Sequence, residues 1–539
     1  MKEGFRQSMA WLHTWSGLLV GWILFMVFAA GTASYFRDEI TLWMKPELHA
    51  VSRSSAPAQA SQARAIDLAR KTLEERAGAS PRWFITMPSA RNPALEAGWI
   101  PAPPKGAAPQ ARPKRRAFGS VTLDPATGKE LGAARATRGG DFFFRLHFDL
   151  HYMPALWGRW IVGACAMCML VAILSGIVTH KRIFKDFFTF RPAKGQRSWL
   201  DAHNASAVLA LPYHLMITYT GLVTLMFMYL PSGVQAIYQD RTDAFYADLN
   251  GGPAGNARPS RALAPLAPLA PLGPMVAEAS RIWHGAPVGR VTVSNPGRAN
   301  ASVNLVLQEG RDMTQALPNL TFDGVSGRLL PDPGRASGGA VQTRGVMVGL
   351  HVGRFADPLL RALFFLSGLA GCAMVATGLL MWAVKERPKH LKLRKDGRIG
   401  LGLRLVDGLN LGGIAGLLLA MPVLFWANRL IPAGGAGRPE LEIACFFSAW
   451  AVAAVAGLAC PTRGMWRLQL ALGGALFALL PVLNAATGGA GLASTVAHGL
   501  WAVAGFDLAG LLLGALLLYA SLRLGPRFAV KPRLAGSAA

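Results

Sequence analysis

Residues 145–180, "RLHFDLHYMPALWGRWIVGACAMCMLVAILSGIVTH", decide the class of fold. The apolar run at 156–180 is interrupted by one charge, Arg159, and is long enough as a helix to cross a hydrocarbon core about 30 Å thick. His147 and His151 stand just before it, one helical turn apart and so on one face, and His180 closes it. Ionisable side chains at the threshold of a membrane span are functional candidates by default.

Working outward, runs of similar length occur at 15–36, 204–230, 358–384, 409–431, 441–460, 465–486 and 496–522. The expected fold is therefore an α-helical polytopic membrane protein of about eight transmembrane helices. Composition agrees, with 52% hydrophobic and only 16% charged residues in a chain of 539. The first run is too long for a signal-peptide core and is read as an uncleaved anchor.

Short basic loops orient the chain. "HKRIFKDFFTFRPAKGQRSW" follows the second span and "KERPKHLKLRKDGRIGLGLR" the fourth, and the tail "RLGPRFAVKPR" is basic too. Lys and Arg near span ends stay in the cytoplasm, so both termini are expected there. This accounts for much of the net charge of +26, and the expected partner is the lipid bilayer rather than nucleic acid. "RPKRR" at 112–116 falls in a long outer segment and reads as a solvated loop.

The organisation expected is residues 1–36 as N-terminus and first span, 37–146 as a first periplasmic domain, and 147–230 as spans two and three with a basic loop. Residues 231–350 form a second periplasmic domain, 351–390 the fourth span and the start of a basic loop, and 391–539 a four-helix membrane extension. The two outer segments repeat one another. Each has an amphipathic helix pattern ("ASQARAIDLARKTLEER"; "PMVAEASRIWHG"), then β-rich stretches, then a hairpin, "VTLDPATGKELG" at 121–132 matching "LTFDGVSGRLLP" at 320–331. In both hairpins an Asp opens the turn and a Gly supplies the left-handed residue. "RALAPLAPLAPLGP" between the segments reads as a stiff polyproline-like linker.

All five cysteines lie in or at the ends of spans, so no disulfide framework is expected. Cys165 and Cys168 form a C-x-x-C read as small packing residues, and Met169 after them excludes a covalent haem motif. Asp507, a carboxylate inside a late span without a visible partner, is a weak proton-path candidate.

Seven of the eleven histidines cluster at the first four spans: His13, His147, His151, His180, His203, His214 and His351. On the expected topology His13, His180 and His203 lie toward the cytoplasm and His147, His151 and His351 toward the outside. On continuous helices His151 and His180 would share a face, as would His203 and His214, each within about 20°. Few carboxylates accompany them, which disfavours zinc, and Phe148 stands where a metalloprotease would need its Glu. Haem suits better, since it takes one axial imidazole per face and an apolar slot between helices; Gly17, Gly21, Gly163, Gly176, Gly221, Gly368 and Gly371 offer room.

"WLHTWSGLLVGWILFMVFAAGTASYF" (11–36), "FFFRLHFDLHYMPALWGRWIVG" (142–163), "RSWLDAHNASAVLALPYHLMITYTGL" (197–222) and "GLHVGRFADPLLRALFFLSGLAGCAMVATGLLMW" (349–382) resemble the four spans of the PepSY-associated transmembrane family. The resemblance covers residues 1 to about 390 and implies that both outer segments are PepSY-like α+β domains. It also implies a haem-b reductase, an oxidoreductase passing electrons across the membrane to ferric iron held by a siderophore in the periplasm. Carried over, the ligand set is His13 with His203 and His151 with His351, for two haems. His147 competes with His151, and His180 and His214 leave a third site open. The short cytoplasmic loops cannot fold around nicotinamide or flavin, so quinol or a soluble cytoplasmic reductase is the expected electron donor. A PepSY-domain sensor or protein-interaction membrane protein without redox activity, and a transporter, are the rival expectations.

Overall fold

The computed structural model describes residues 3–524 except 50–58, 103–118, 181–190, 246–263, 332–338, 394–398 and the positions 90, 93, 133, 192–193, 240, 242–243, 311 and 315–316. "RPKRR" and most of the residues in the basic loops and tail lie outside the described residues.

The membrane part begins with α1 (Glu3–Ser34), followed by a short α2 (Arg37–Trp43). After the first outer segment, which carries α3 (Gln59–Ala77), come α4 (Gly140–Asp149), α5 (Ala155–Thr179), α6 (Gln196–Leu209) and α7 (Leu211–Thr224). The second outer segment carries α8 (Leu272–Ile282), and α9 (Gly339–Val352) then leads to α10 (Pro358–Leu393). The extension comprises α11 (Leu401–Asn410), a π-helical turn (Leu411–Gly416), α12 (Leu417–Leu430), α13 (Arg438–Ala459), α14 (Arg463–Ala478), α15 (Leu480–Ala486) and α16 (Trp501–Arg523). Among the described residues six helices are long and apolar enough to span a bilayer, or eight if two bent pairs each count as one span. The chain is thus a polytopic, multi-pass membrane protein.

Both bent pairs have a proline in the first turn of their second helix, where the missing N–H interrupts the helical ladder. Pro212 marks the 68° bend between α6 and α7, and Pro481 the 44° bend between α14 and α15. A sharper break separates α4 from α5. Leu150, His151 and Tyr152 all take left-handed backbone, with φ of 55°, 42° and 46°, and Pro154 caps the following helix. Gly158 lets α5 start directly beneath α4, since a Cβ there would lie 2.2 Å from the Asp149 carbonyl oxygen.

The outer segments do not form two separate bodies. Their strands β1 (Arg82–Thr86), β2 (Leu95–Ile100), β3 (Gly119–Leu123), β4 (Val288–Ser294), β5 (Ser302–Leu307) and β6 (Asn319–Asp323) make one antiparallel sheet in the order β3-β2-β1-β4-β5-β6. The copies meet where β1 pairs with β4, Trp83 opposite Val293 and Ile85 opposite Val291. Strand alternation sends Trp83, Ile85, Val291, Val293 and Val303 to one face, where α3 and α8 cover them in a single core with Ile66, Leu73, Met275 and Val276. One copy needs the other to close that core. Gln62 of α3 reinforces the join by bonding both the N–H and the carbonyl of Val288 in β4.

The duplication extends to individual hydrogen bonds. Asp124 Oδ1 accepts from the backbone N–H groups of Ala126 and Thr127 and from the Thr127 hydroxyl; Asp323 Oδ1 accepts from Val325, Ser326 and the Ser326 hydroxyl in the same way. These bonds, led by the backbone N–H of Thr127 and of Ser326, hold both carboxyls below the usual aspartate range. Gly128 and Gly327 supply the left-handed residue, with φ of 70° and 71°. From Ala264 onward the Pro-rich tract is part of this body rather than a free spacer. Ala267 and Ala270 donate to Gly297 and Gly324, and Leu269 and Ala270 pack on the core.

Candidate functional site: two facing histidine pairs

The helices bring four histidines together in two pairs. At the end of the bundle away from the sheet, His13 of α1 and His203 of α6 face one another with ring centroids 6.1 Å apart and planes at 70°. At the sheet side, His147 of α4 and His351 of α9 stand 6.0 Å apart with planes at 34°.

All four rings are held by the same device. His13 Nδ1 donates to the Ala172 carbonyl at 2.8 Å, His203 to Met374 at 2.8 Å, His147 to Val27 at 2.8 Å and His351 to Ile217 at 3.0 Å. A proton on Nδ1 makes Nε2 the lone-pair nitrogen, and among the described residues nothing bonds it. Four residues beyond each accepting carbonyl comes a glycine, one helical turn on. A Cβ on Gly176, Gly378, Gly31 or Gly221 would lie 3.1, 3.2, 2.7 or 2.9 Å from Cε1 of His13, His203, His147 or His351 respectively. The repeated unit is a five-residue helical stretch, "AILSG", "MVATG", "VFAAG" and "ITYTG", whose first carbonyl anchors an imidazole and whose glycine makes space for it. Gly176 and Gly221 were among the glycines read from the sequence; Gly31 and Gly378 were missed, although the spacing common to all four stretches was available as a signal. Of the rest, Gly21, Gly163, Gly368 and Gly371 admit side chains of neighbouring helices, and Gly17 faces open space.

His151 is not opposite His351. It lies in the left-handed turn after α4, its ring stacked on Phe447 at 5.5 Å, so the expected pairing is corrected to His147 with His351. The expected stripes disappear with the helix breaks. The turn at 150–152 removes the phase relation of His151 to His180, and the 68° bend removes that of His203 to His214. His180 caps α5 and meets the Asn204 amide at 2.9 Å, beside His203 in sequence. His214 is fully buried between the pairs, its Nε2 3.3 Å from the Ser367 carbonyl and its ring 6.1 Å from Phe28. It stands about 10 Å along α7 from the glycine under His351, and meets α10 about 10 Å from the glycine under His203.

Asp507 has partners after all. It accepts from Trp43 Nε1 at 2.8 Å and Asn484 Nδ2 at 3.1 Å, and Arg429 bonds the same Asn484. This is a closed polar cluster between α2 and the extension. Cys165 packs against Val20 and Leu24, in keeping with the packing role read for it.

The sheet-side pair opens into a cavity of about 1560 Å³ between the bundle and the uncovered face of the sheet. Its walls include His147 and His351 below and Thr86, Arg290 and Val306 from the strands above. Seven arginines and four carboxylates line it, and five of the arginines are ion-paired: Arg37 with Asp141, Arg159 with Asp149, Arg354 with Glu309, and Arg91 and Arg361 with Glu39. Glu39 ties roof to floor by bonding Arg91, beside the first strands, and Arg361 of α10. Tyr229 Oη, also on the wall, is buried without a partner among the described residues. Among the described residues no group of three or more His, Cys, Asp or Glu forms a ligand set, so a metal between either pair would take two ligands from protein.

A family model described as the PepSY-associated TM region matches residues 10–385. An uncharacterized protein of Pseudomonas aeruginosa is 27% identical over 396 residues, covering 70% of this chain and 93% of that protein. The four histidine positions and all four glycines fall inside the matched region, and the chain belongs to the PepSY-associated TM family.

Proposed function

We propose that this protein is a haem-b reductase of the bacterial inner membrane, passing electrons outward to ferric iron bound by a siderophore. The observation that carries the reading is the pair of facing imidazole sets with ring centroids 6.0 and 6.1 Å apart. Imidazole nitrogen binds a metal at about 2 Å, so rings spaced as these are would leave room for one iron between them. His13 with His203 and His147 with His351 would each hold one haem. The glycines under each ring are the room that such a ligand set needs. When bound, haem supplies one-electron chemistry at its iron.

The protein's own residues then perform positioning and insulation. Val27, Ala172, Ile217 and Met374 carbonyls fix the tautomer and orientation of each histidine, which also raises its basicity toward a metal. The apolar spans keep water from the path. His214, fully buried, and Phe28, which also lines the cavity, stand in contact between the pairs. The cavity over His147 and His351 exceeds the usual 300–1,000 Å³ of a small-ligand site, so it has room for an acceptor beside a cofactor edge. In this reading the sheet is periplasmic, both termini are cytoplasmic, and quinol or a soluble reductase delivers electrons near His13 and His203.

Purified protein should carry two haems per chain by pyridine haemochromogen assay, shift its Soret band on dithionite addition, and reoxidise when a ferric siderophore is added. A folded but colourless protein would overturn the reading and favour a binding or sensing role.

A further inference from the structure

The extension after residue 385 lies outside the family match; besides packing on α1, α2 and α10, it reaches the short helix α4 through side chains. The chain entering α4 is gripped by α12 and α13. Arg135 Nη1 donates to the Asn428 carbonyl at 3.0 Å, the Thr137 hydroxyl to Glu442 at 2.6 Å, and Arg438 Nη1 to the Ala136 carbonyl at 2.7 Å. Arg438 and Glu442, themselves ion-paired and buried, form the anchor. Along α4, Phe142 packs on Phe446 at 5.0 Å and Phe143 on Phe425 at 5.9 Å, and both phenylalanines of α4 are buried. Beyond α4, the left-handed run Leu150–Tyr152 is costly for residues with a Cβ and persists only where surroundings enforce it. Here Phe447 supplies that enforcement, stacking on His151 at 5.5 Å and contacting Tyr152 at 5.0 Å. The start, the face and the exit of α4 are thus all held by the extension, and α4 carries His147.

We propose that the extension is a positioning brace for α4 that sets His147 opposite His351, with Phe446 and Thr137 as positioning residues. The consequence for cofactor binding rests on the reading above; the consequence for α4 does not. His151 gains a role here as a strut that locks the turn rather than a ligand.

The test uses the full chain with Phe446→Ala, Phe446→Leu and Thr137→Val, following backbone hydrogen exchange of residues 140–149 together with the haem count, potentials and low-spin resonance signals. Expected for Phe446→Ala is exchange in α4 at least tenfold faster, with the sheet-side signal shifted or lost and the His13–His203 signal unchanged. Phe446→Leu should restore most of the difference, and Thr137→Val should move both readouts the same way by less. Unchanged α4 exchange and unchanged signals in Phe446→Ala and Thr137→Val would overturn the proposal. So would equal acceleration across the whole bundle, or parallel loss of both signals. If the wild-type protein holds no haem, the functional reading fails, and the exchange data alone decide whether the extension holds α4.

Discussion

The two histidine pairs share one anchoring device but not one setting. His13 and His203 sit on helices that belong to the spans themselves, with ring planes at 70°. His147 and His351 sit on short helices that stop before the spans α5 and α10 begin, with planes at 34°, under a cavity of about 1560 Å³. The first pair is part of the transmembrane frame. The second is mounted on separate short helices and opens into the cavity beneath the sheet.

The strongest way to break the comparison is to remove one histidine at a time. His147→Ala should lose half of the bound haem and reduction of the acceptor, while His151→Ala keeps the full count. His203→Ala should remove the other half. Full haem in His147→Ala, or half in His151→Ala, would return the outer role to His151. The two sites should also be separable without mutation, because the nearly perpendicular pair gives the more anisotropic low-spin signal.

Glycine substitution sharpens the difference. A Cβ at Gly31 would meet both Cε1 and Nδ1 of His147 at 2.7 Å, and that ring is pinned by its bond to Val27. At Gly378 the corresponding approach to His203 is 3.2 Å, which a shift of a few tenths of an ångström relieves. Gly31→Ala should therefore cost about 1–3 kcal/mol in the fit of the sheet-side site and Gly378→Ala under about 1 kcal/mol at the other. Haem retention during titration with a competing haem-binding protein measures both.

What could be read from the chain follows the range of the interaction. Spans were legible because a long apolar run needs no partner to declare itself, and the hairpin repeat because Asp and Gly act within a few residues. The single sheet was not. Pairing β1 with β4 joins residues some two hundred positions apart, and two copies that cannot close a core alone look, in sequence, like two domains. The choice of His147 over His151 was hidden for the opposite reason. One turn of helix puts them on the same face, and only the break at Leu150–Tyr152 swings His151 away, onto Phe447 of the far extension. Asp507 seemed isolated because Trp43 and Asn484 lie on other helices.

Acid should act on one end of the molecule first. His49 packs between α2 and the extension, donating from Nε2 to the Leu42 carbonyl and accepting at Nδ1 from the Ala490 N–H. Burial, helped by the charge of Arg429, lowers its pKa to about 4 from an ordinary 6.5. The folded state thus holds it neutral while the unfolded chain takes a proton below pH 6.5. Stability from this group is level above that value and falls as pH drops toward 4, by about 1 kcal/mol for the first unit. Thermal unfolding between pH 7 and 5 should show the loss, with the sheet-side haem released before the other, and His49→Gln should flatten the slope.

The smallest effect probes the cavity wall. Tyr229 Oη is buried with no partner among the described residues, a cost of the kind that natural cores avoid unless a ligand uses the group. Tyr229→Phe removes the unsatisfied hydroxyl without removing the ring that packs on Trp160 at 5.5 Å. The variant should keep both haems and melt slightly higher, yet bind the acceptor more weakly by about 0.5–1.5 kcal/mol, a two- to tenfold rise in KM with little change in kcat. The opposite signs are what matter. A hydroxyl retained at a stability cost and missed only by the acceptor marks the cavity as a binding surface, whereas unaltered acceptor affinity would leave the hydroxyl without a part in binding.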